Sequence, residues 1–195
     1  MRILLLLLFT LLFHPSKAQI ETRPNQSVPI VVTLQFHAFA VPFRHFKSNF
    51  KNIGLGIGTE LNYGANSNFY QRFELIWYRN RAIGNGWLFQ SQGIWRPTVS
   101  NDAFAEVKLG AGYLLSKRPI DSFQYKQGQW ESVGRRGKGM FCIPLGIGLG
   151  YELAADDYQI SPIAGYQAMA LLGYTISLPL VPETLLYTGA LIKKQ

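Results

Sequence analysis

Residues 141–153 read Phe-Cys-Ile-Pro-Leu-Gly-Ile-Gly-Leu-Gly-Tyr-Glu-Leu. The odd positions, Phe141, Ile143, Leu145, Ile147, Leu149, Tyr151 and Leu153, form an unbroken apolar row. The even positions, Cys142, Pro144, Gly146, Gly148, Gly150 and Glu152, are small or polar. A period of two is the signature of a strand with two unlike faces. In a water-soluble barrel the polar face would carry Lys, Glu, Thr or Gln, whereas glycine adds no solvation and weakens a strand. Glycine suits a cramped interior, and the long aliphatic side chains suit lipid. Residues 53–63 repeat the arrangement: Ile53, Leu55, Ile57, Leu61 and Tyr63 oppose Gly54, Gly56, Gly58, Glu60 and Asn62. Two such strands predict a transmembrane β-barrel.

Working outward, the same alternation predicts strands at 30–40, 69–78, 87–96, 103–115, 158–171 and 184–192. In the first of these Thr33, Gln35 and His37 fall on the inner face, and in the last Leu185, Tyr187, Gly189 and Leu191 share one face. Polar connections alternate between long and short, and the short ones, such as Gly64-Ala65-Asn66-Ser67-Asn68, have tight-turn chemistry. The stretch 116–139 has Pro, Gly and charge without sustained alternation, and is expected to be the longest external loop. The fold class is therefore all-β: an eight-stranded antiparallel up-and-down transmembrane β-barrel, with short turns inside and longer loops outside.

Residues 1–18 open with Arg2, continue through an apolar run and end at Ala18, the pattern of a secretory signal too short for a spanning helix. Residues 19–28 are read as a periplasmic lead-in and 29–195 as the barrel domain. The single cysteine, Cys142, excludes an intrachain disulfide. The chain is 14% aromatic yet only 15% charged, as expected where much of the surface faces hydrocarbon and aromatic girdles.

In this pattern the chain resembles the small OmpA-like and OmpX-like outer-membrane barrels. More narrowly it resembles the barrels of Bacteroidetes, which often begin at Gln after a signal ending in Ala, as at Ala18-Gln19. The resemblance implies the outer membrane of a Gram-negative bacterium. It fails at the C-terminus, where such barrels end on an aromatic residue and this chain reads Leu191-Ile192-Lys193-Lys194-Gln195. Two families of lipid A enzymes share the architecture. The deacylase pattern needs a late His beside a Ser, and no His follows His45. The palmitoyltransferase pattern joins a loop His to an Asp-Ser pair in the second external loop; here Asp121-Ser122 lies in the third. No catalytic residue is assigned on these patterns, and a lipid-modifying enzyme or a soluble periplasmic lipid-binding barrel stands as the alternative.

The chemistry read from the residues lies in two places. Glu60, Arg72, Glu74, Arg96, Glu106, Lys108 and Glu152 fall on inward positions. The interior of an eight-stranded barrel is just filled by side chains, so these charges are expected to pair into a plug, without a pore. The formal net charge is +8, and the expected external loops hold Lys117, Arg118, Lys126, Arg135, Arg136 and Lys138. Such a surface suits phosphate-bearing outer-membrane lipids, lipopolysaccharide among them, or a surface partner. Neither a nucleic-acid motif, a metal cluster nor a cofactor loop is present in the sequence, and a monomer is expected.

Overall fold

Alternating residues with β-branched, aliphatic and aromatic side chains favour extended backbone, because such side chains pack well on a pleated surface. In the computed structural model this preference is realised throughout. The structure describes residues 27–38, 50, 52–64, 67–80, 84–117, 121, 123–135, 137–155, 157–175 and 178–194, and these contain no helix. The signal at 1–18, most of the lead-in, and His45, Arg118, Ser122 and Arg136 lie outside the described residues.

The strands are β1 (Ile30–Ala38), β2 (Ile53–Asn62), β3 (Phe69–Tyr78), β4 (Asn85–Trp95), β5 (Ala103–Lys117), β6 (Phe123–Lys126), β7 (Gln129–Ser132), β8 (Gly137–Tyr151), β9 (Leu153–Ala154), β10 (Tyr158–Leu172) and β11 (Leu180–Lys194). The main sheet runs β11-β1-β2-β3-β4-β5-β8-β10, with β9 carrying on beside β10 after a break at Glu152, and all its pairs are antiparallel. It closes because β11 also pairs with β10, from Tyr158↔Lys194 to Leu172↔Leu180. The architecture is an eight-stranded antiparallel up-and-down transmembrane barrel.

Burial alternates with the side-chain period. Leu55, Ile57, Leu145 and Leu149 are exposed on the outer wall, and Ile147 is 56% exposed, whereas Gly54, Gly56, Gly146 and Gly148 point inward. A soluble lipid-carrying barrel would need the opposite orientation. The outward row of β5 from Ala105 to Leu115 is about 33 Å long, or about 25 Å high at a 40° tilt, which matches a hydrocarbon core. Exposed aromatic residues ring both ends: Tyr63, Phe69, Trp95, Tyr151 and Tyr158 at the end with the termini, Trp87, Phe89, Tyr113 and Phe141 toward the other.

Two stretches differ from the sequence reading by more than two residues. The stretch 116–139 is mostly strand: β5 runs on to Lys117, β8 begins at Gly137, and β6 and β7 form a separate hairpin between them. Four-residue strands are too short to declare a period. The last strand starts at Leu180 rather than 184, because Pro182 pairs with Ala170 inside it, at a residue type that ordinarily marks a strand's edge.

The inward glycines are moulds for large side chains. A Cβ on Gly148 would lie 2.5 Å from the Tyr187 hydroxyl, and one on Gly150 would lie 2.2 Å from Phe104 Cζ. Gly148→Leu is therefore expected to cost about 1–3 kcal/mol by overpacking. Leu145→Arg, on the lipid side near midplane, is expected to cost about 2–4 kcal/mol. Urea titration of the barrel refolded in lipid vesicles measures both; an unchanged midpoint for Leu145→Arg would refute the lipid-facing wall.

Candidate functional site

Residues directly opposite each other on neighbouring strands bring their side chains together. Glu60 on β2 faces Arg72 on β3, and Glu74 on β3 faces Gln90 on β4. Glu106 and Lys108 on β5 face Gly148 and Gly146 on β8, so the missing side chains leave room for the charged ones. The lumen is thereby divided into three polar groups stacked along the axis.

Nearest the termini is a closed ion square. Arg72 donates from Nε and Nη2 to Glu60 Oε2 at 3.0 and 2.8 Å, and from Nη2 to Glu106 Oε1 at 2.8 Å. Arg96 Nη2 donates to Glu60 Oε2 at 2.8 Å and to Glu106 Oε1 at 2.6 Å. Each guanidinium bridges both carboxylates, and all four side chains are at most 10% exposed. Arg96 is also stacked between aromatic rings, 4.2 Å from the Tyr70 centroid and 4.8 Å from that of Phe104. Bidentate guanidinium–carboxylate bonds in a low-dielectric interior are the strong kind.

Above the square, Lys108 Nζ sits 3.8 Å from the centroid of the Tyr187 ring. Glu74 accepts from Thr33 Oγ1 at 2.7 Å and from Gln90 Nε2 at 3.1 Å. Gln90 and Gln167 exchange hydrogen bonds, and Gln92 donates to Gln167 at 3.0 Å. The amides span the lumen from β4 to β10 and leave its middle occupied by protein.

The third group was not read from the sequence as a unit. His37 Nε2 lies 3.0 Å from Glu183 Oε2, and Tyr78 donates to the same oxygen at 3.3 Å. Asn80 Nδ2 meets His37 Nδ1 at 3.0 Å, and the imidazole stacks on Tyr78 with centroids 4.0 Å apart. All four are buried, beside an apolar cluster that includes Leu88, Leu114, Met169 and Leu171. His37 was placed on the inner face of its strand, but Glu183 fell before the start of the last strand and was missed. The signal was present: Val181, Glu183, Leu185 and Tyr187 keep the period across Pro182.

Glu152 must be corrected. It was placed in the lumen with the other charges but is exposed, and its carboxylate accepts from Gln159 Nε2 at 2.9 Å. Its parity is inward, but the residue stands past the end of β8, where there is no lumen left to enter.

Of the basic residues expected on the external loops, Lys117, Lys126 and Arg135 are exposed. Lys138 is half-buried and donates to the Tyr174 carbonyl at 2.5 Å. Arg135 Nε lies 3.7 Å from Asp121 Oδ1. The opposite rim carries exposed Asp102, Glu152 and Asp157, but also Lys193 and Lys194 at the end of β11. Among the described residues no group of three or more His, Cys, Asp or Glu side chains could hold a metal ion.

No protein-family model matches the chain, and no curated protein matches it by sequence. Among solved structures it is similar to Neisserial surface protein A at 10% identity, covering 86% of this chain and 96% of that one with a TM-score of 0.47. It is also similar to the N-terminal barrel domain of Pseudomonas aeruginosa OprF, at 11% identity, 85% and 99% coverage and a TM-score of 0.43. The attachment invasion locus protein Ail of Yersinia pestis gives 13% identity, 86% and 96% coverage and a TM-score of 0.44.

The ion square makes a definite forecast. Arg72→Met leaves Glu60 and Glu106 buried with one guanidinium between them, and is expected to cost about 3–5 kcal/mol in urea unfolding from vesicles. Adding Glu60→Gln should recover part of that loss, because the two positions share one network. Additive losses in the double variant would show that the square does not act as a unit.

Proposed function

We propose that this chain is an integral outer-membrane barrel of a Gram-negative bacterium, without a pore, whose role is structural or lies in surface contacts made by its basic external loops. The observation that carries this reading is the combination of an apolar outer wall with a lumen filled by paired charge. Arg72, Arg96, Glu60 and Glu106 bond to one another across the interior, and the glutamine amides occupy the level above them. A conducting barrel would need water where those bonds are.

On this reading the terminal rim is periplasmic and the rim bearing Lys117, Lys126, Arg135 and Lys138 faces outward. Arg118 and Arg136 belong to the same basic stretch of sequence. The outer leaflet is phosphate-rich, and cations at its level favour lipid headgroups such as those of lipopolysaccharide. No cofactor is invoked, and the barrel acts as a monomer, since the edges of its main strands are already used in closure.

The test is direct. The protein should fractionate with the outer membrane, and purified barrel in a planar bilayer should give no discrete conductance steps. Regular steps would overturn the sealed lumen. A second arm concerns the loops: replacing Lys117, Arg135 and Arg136 with Gln should weaken binding to lipopolysaccharide and flatten its salt dependence, since exposed charges are screened over about 8 Å at physiological ionic strength. Unchanged binding would remove the basic loops from the contact.

A further inference from the structure

The β6–β7 hairpin has a face that closing and filling the barrel does not use. Its register sets Phe123 opposite Ser132 and Tyr125 opposite Trp130. Side chains alternate across a strand, so Phe123, Tyr125 and Trp130 share one face while Gln124, Lys126, Gln129 and Glu131 share the other. The three aromatic residues are 62%, 60% and 70% exposed, and Tyr125 meets Trp130 edge to face with centroids 5.3 Å apart. A lone two-stranded hairpin is marginal in water, and an open aromatic face on it is a contact surface.

Its surroundings identify the occupant. The hairpin is inserted between β5 and β8, whose outward rows are lipid-facing. On β5 the exposed row is Val107, Leu109, Tyr113 and Leu115. Tyr113 and Phe141 meet edge to face at 5.1 Å near the end of the belt, and the exposed cation Lys117 follows one residue pair beyond Leu115. The end of the β5–β8 ribbon that carries the hairpin thus stands where hydrocarbon gives way to headgroups. Arg135, largely exposed and only loosely approached by Asp121 at 3.7 Å, stands at the hairpin's other root, next to Gly134 with φ +74°, a left-handed joint suited to a change of direction. Aromatic rings with a polar tip settle at this level of a bilayer, and the neighbouring cations complement phosphate.

From this juxtaposition we infer that the β6–β7 hairpin is an interfacial anchor. Its Phe123, Tyr125 and Trp130 face seats in the headgroup layer of the membrane that holds the barrel, with Lys117 and Arg135 on anionic lipid phosphates. The inference rests on the proposed membrane placement and adds a site and a geometry to it. Lys126, on the opposite face, stays in water, and Lys138 is already held by the Tyr174 carbonyl.

Single-tryptophan barrels test it. Trp77→Phe, Trp87→Phe and Trp95→Phe together leave only Trp130; Trp77→Phe, Trp95→Phe and Trp130→Phe leave only Trp87, which lies in the lipid belt. Each is refolded into phosphatidylcholine vesicles with or without phosphatidylglycerol, part of the phosphatidylcholine being brominated high on its acyl chains. Trp87 should be quenched in both. Trp130 should be blue-shifted and quenched in the anionic vesicles, with quenching reduced about twofold or more in neutral vesicles or at high salt, where phosphate attraction is absent or screened. Lys117→Gln with Arg135→Gln should reproduce the neutral-vesicle result. An unquenched, water-accessible Trp130 beside a quenched Trp87 overturns the anchor and leaves the membrane barrel standing. An unquenched Trp87 overturns both. Quenching of Trp130 that ignores lipid charge and salt overturns the phosphate contact, and shielding of Trp130 that rises with protein density without lipid quenching overturns the lipid in favour of a second copy of the chain.

Discussion

Hydrocarbon offers no hydrogen bonds, and every peptide group placed in it must find a partner within the protein. The other features follow from that constraint. Seven of the eight strand contacts join sequence neighbours and form locally. The eighth, between β1 and β11, joins the two ends of the domain, from Ile30↔Ile192 to Ala38↔Thr184. It is also reinforced by side chains at both of its ends. The Ser27 hydroxyl bonds the Lys194 carbonyl at one, while at the other Thr184 Oγ1 reaches the Ala38 carbonyl and His37 meets Glu183 inside the lumen. The buried His–Glu contact therefore sits across the single pairing that chain connectivity does not bring together.

Closure with so few strands creates the second problem, an interior too narrow for bulk water and too polar to leave unpaired. It is met by matching residues across strands. Glycine on β8 admits Glu106 and Lys108 from β5, and Gly165 on β10 faces Tyr187 on β11. The carboxylates Glu60 and Glu106 are each shared by two guanidiniums, so no single arginine carries the whole compensation. Burial of charge is costly when a partner is removed, and in the shared square each carboxylate retains a second guanidinium when one is lost. The apolar wall and the ionic core are thus consequences of one decision by the backbone, with the usual distribution of polarity turned inside out.

How much of this the sequence displays depends on the length of each pattern. Strand identity and orientation were legible wherever alternation ran for ten residues or so, as in the Gly-rich rows of β2 and β8. The four-residue strands β6 and β7 were illegible for the same reason. Parity also says which side a residue faces but not its height. Glu152 and Arg96 illustrate the difference. Both follow a strand with inward parity, yet Arg96 has the reach to turn back onto Glu60 and Glu106, while the shorter Glu152 bonds locally to Gln159. Glu183 was hidden by Pro182, whose missing N–H reads as a strand boundary although its neighbours continue the period.

A lumen held by such bonds has little freedom to change, and this bears on where activity can reside. The barrel wall is paired on both edges of every main strand, and most of the interior polar groups are bonded to one another. Among the described residues the buried exceptions are Gln35 Oε1, Glu106 Oε2 and the Tyr187 hydroxyl, while the exposed unpaired surface lies at the rims. There the two ends differ in construction: the terminal rim has tight turns, such as the one in which Tyr63 N bonds the Phe69 carbonyl, whereas the other rim lengthens into the β5–β8 ribbon and its jointed hairpin. Every residue of β6 and β7 is exposed, including the aromatic ones. Aromatic side chains left exposed contribute no burial free energy to the isolated fold, and burial against a third surface would supply it. On the anchor reading, the hairpin is the part of the chain whose energetics are completed by something outside it.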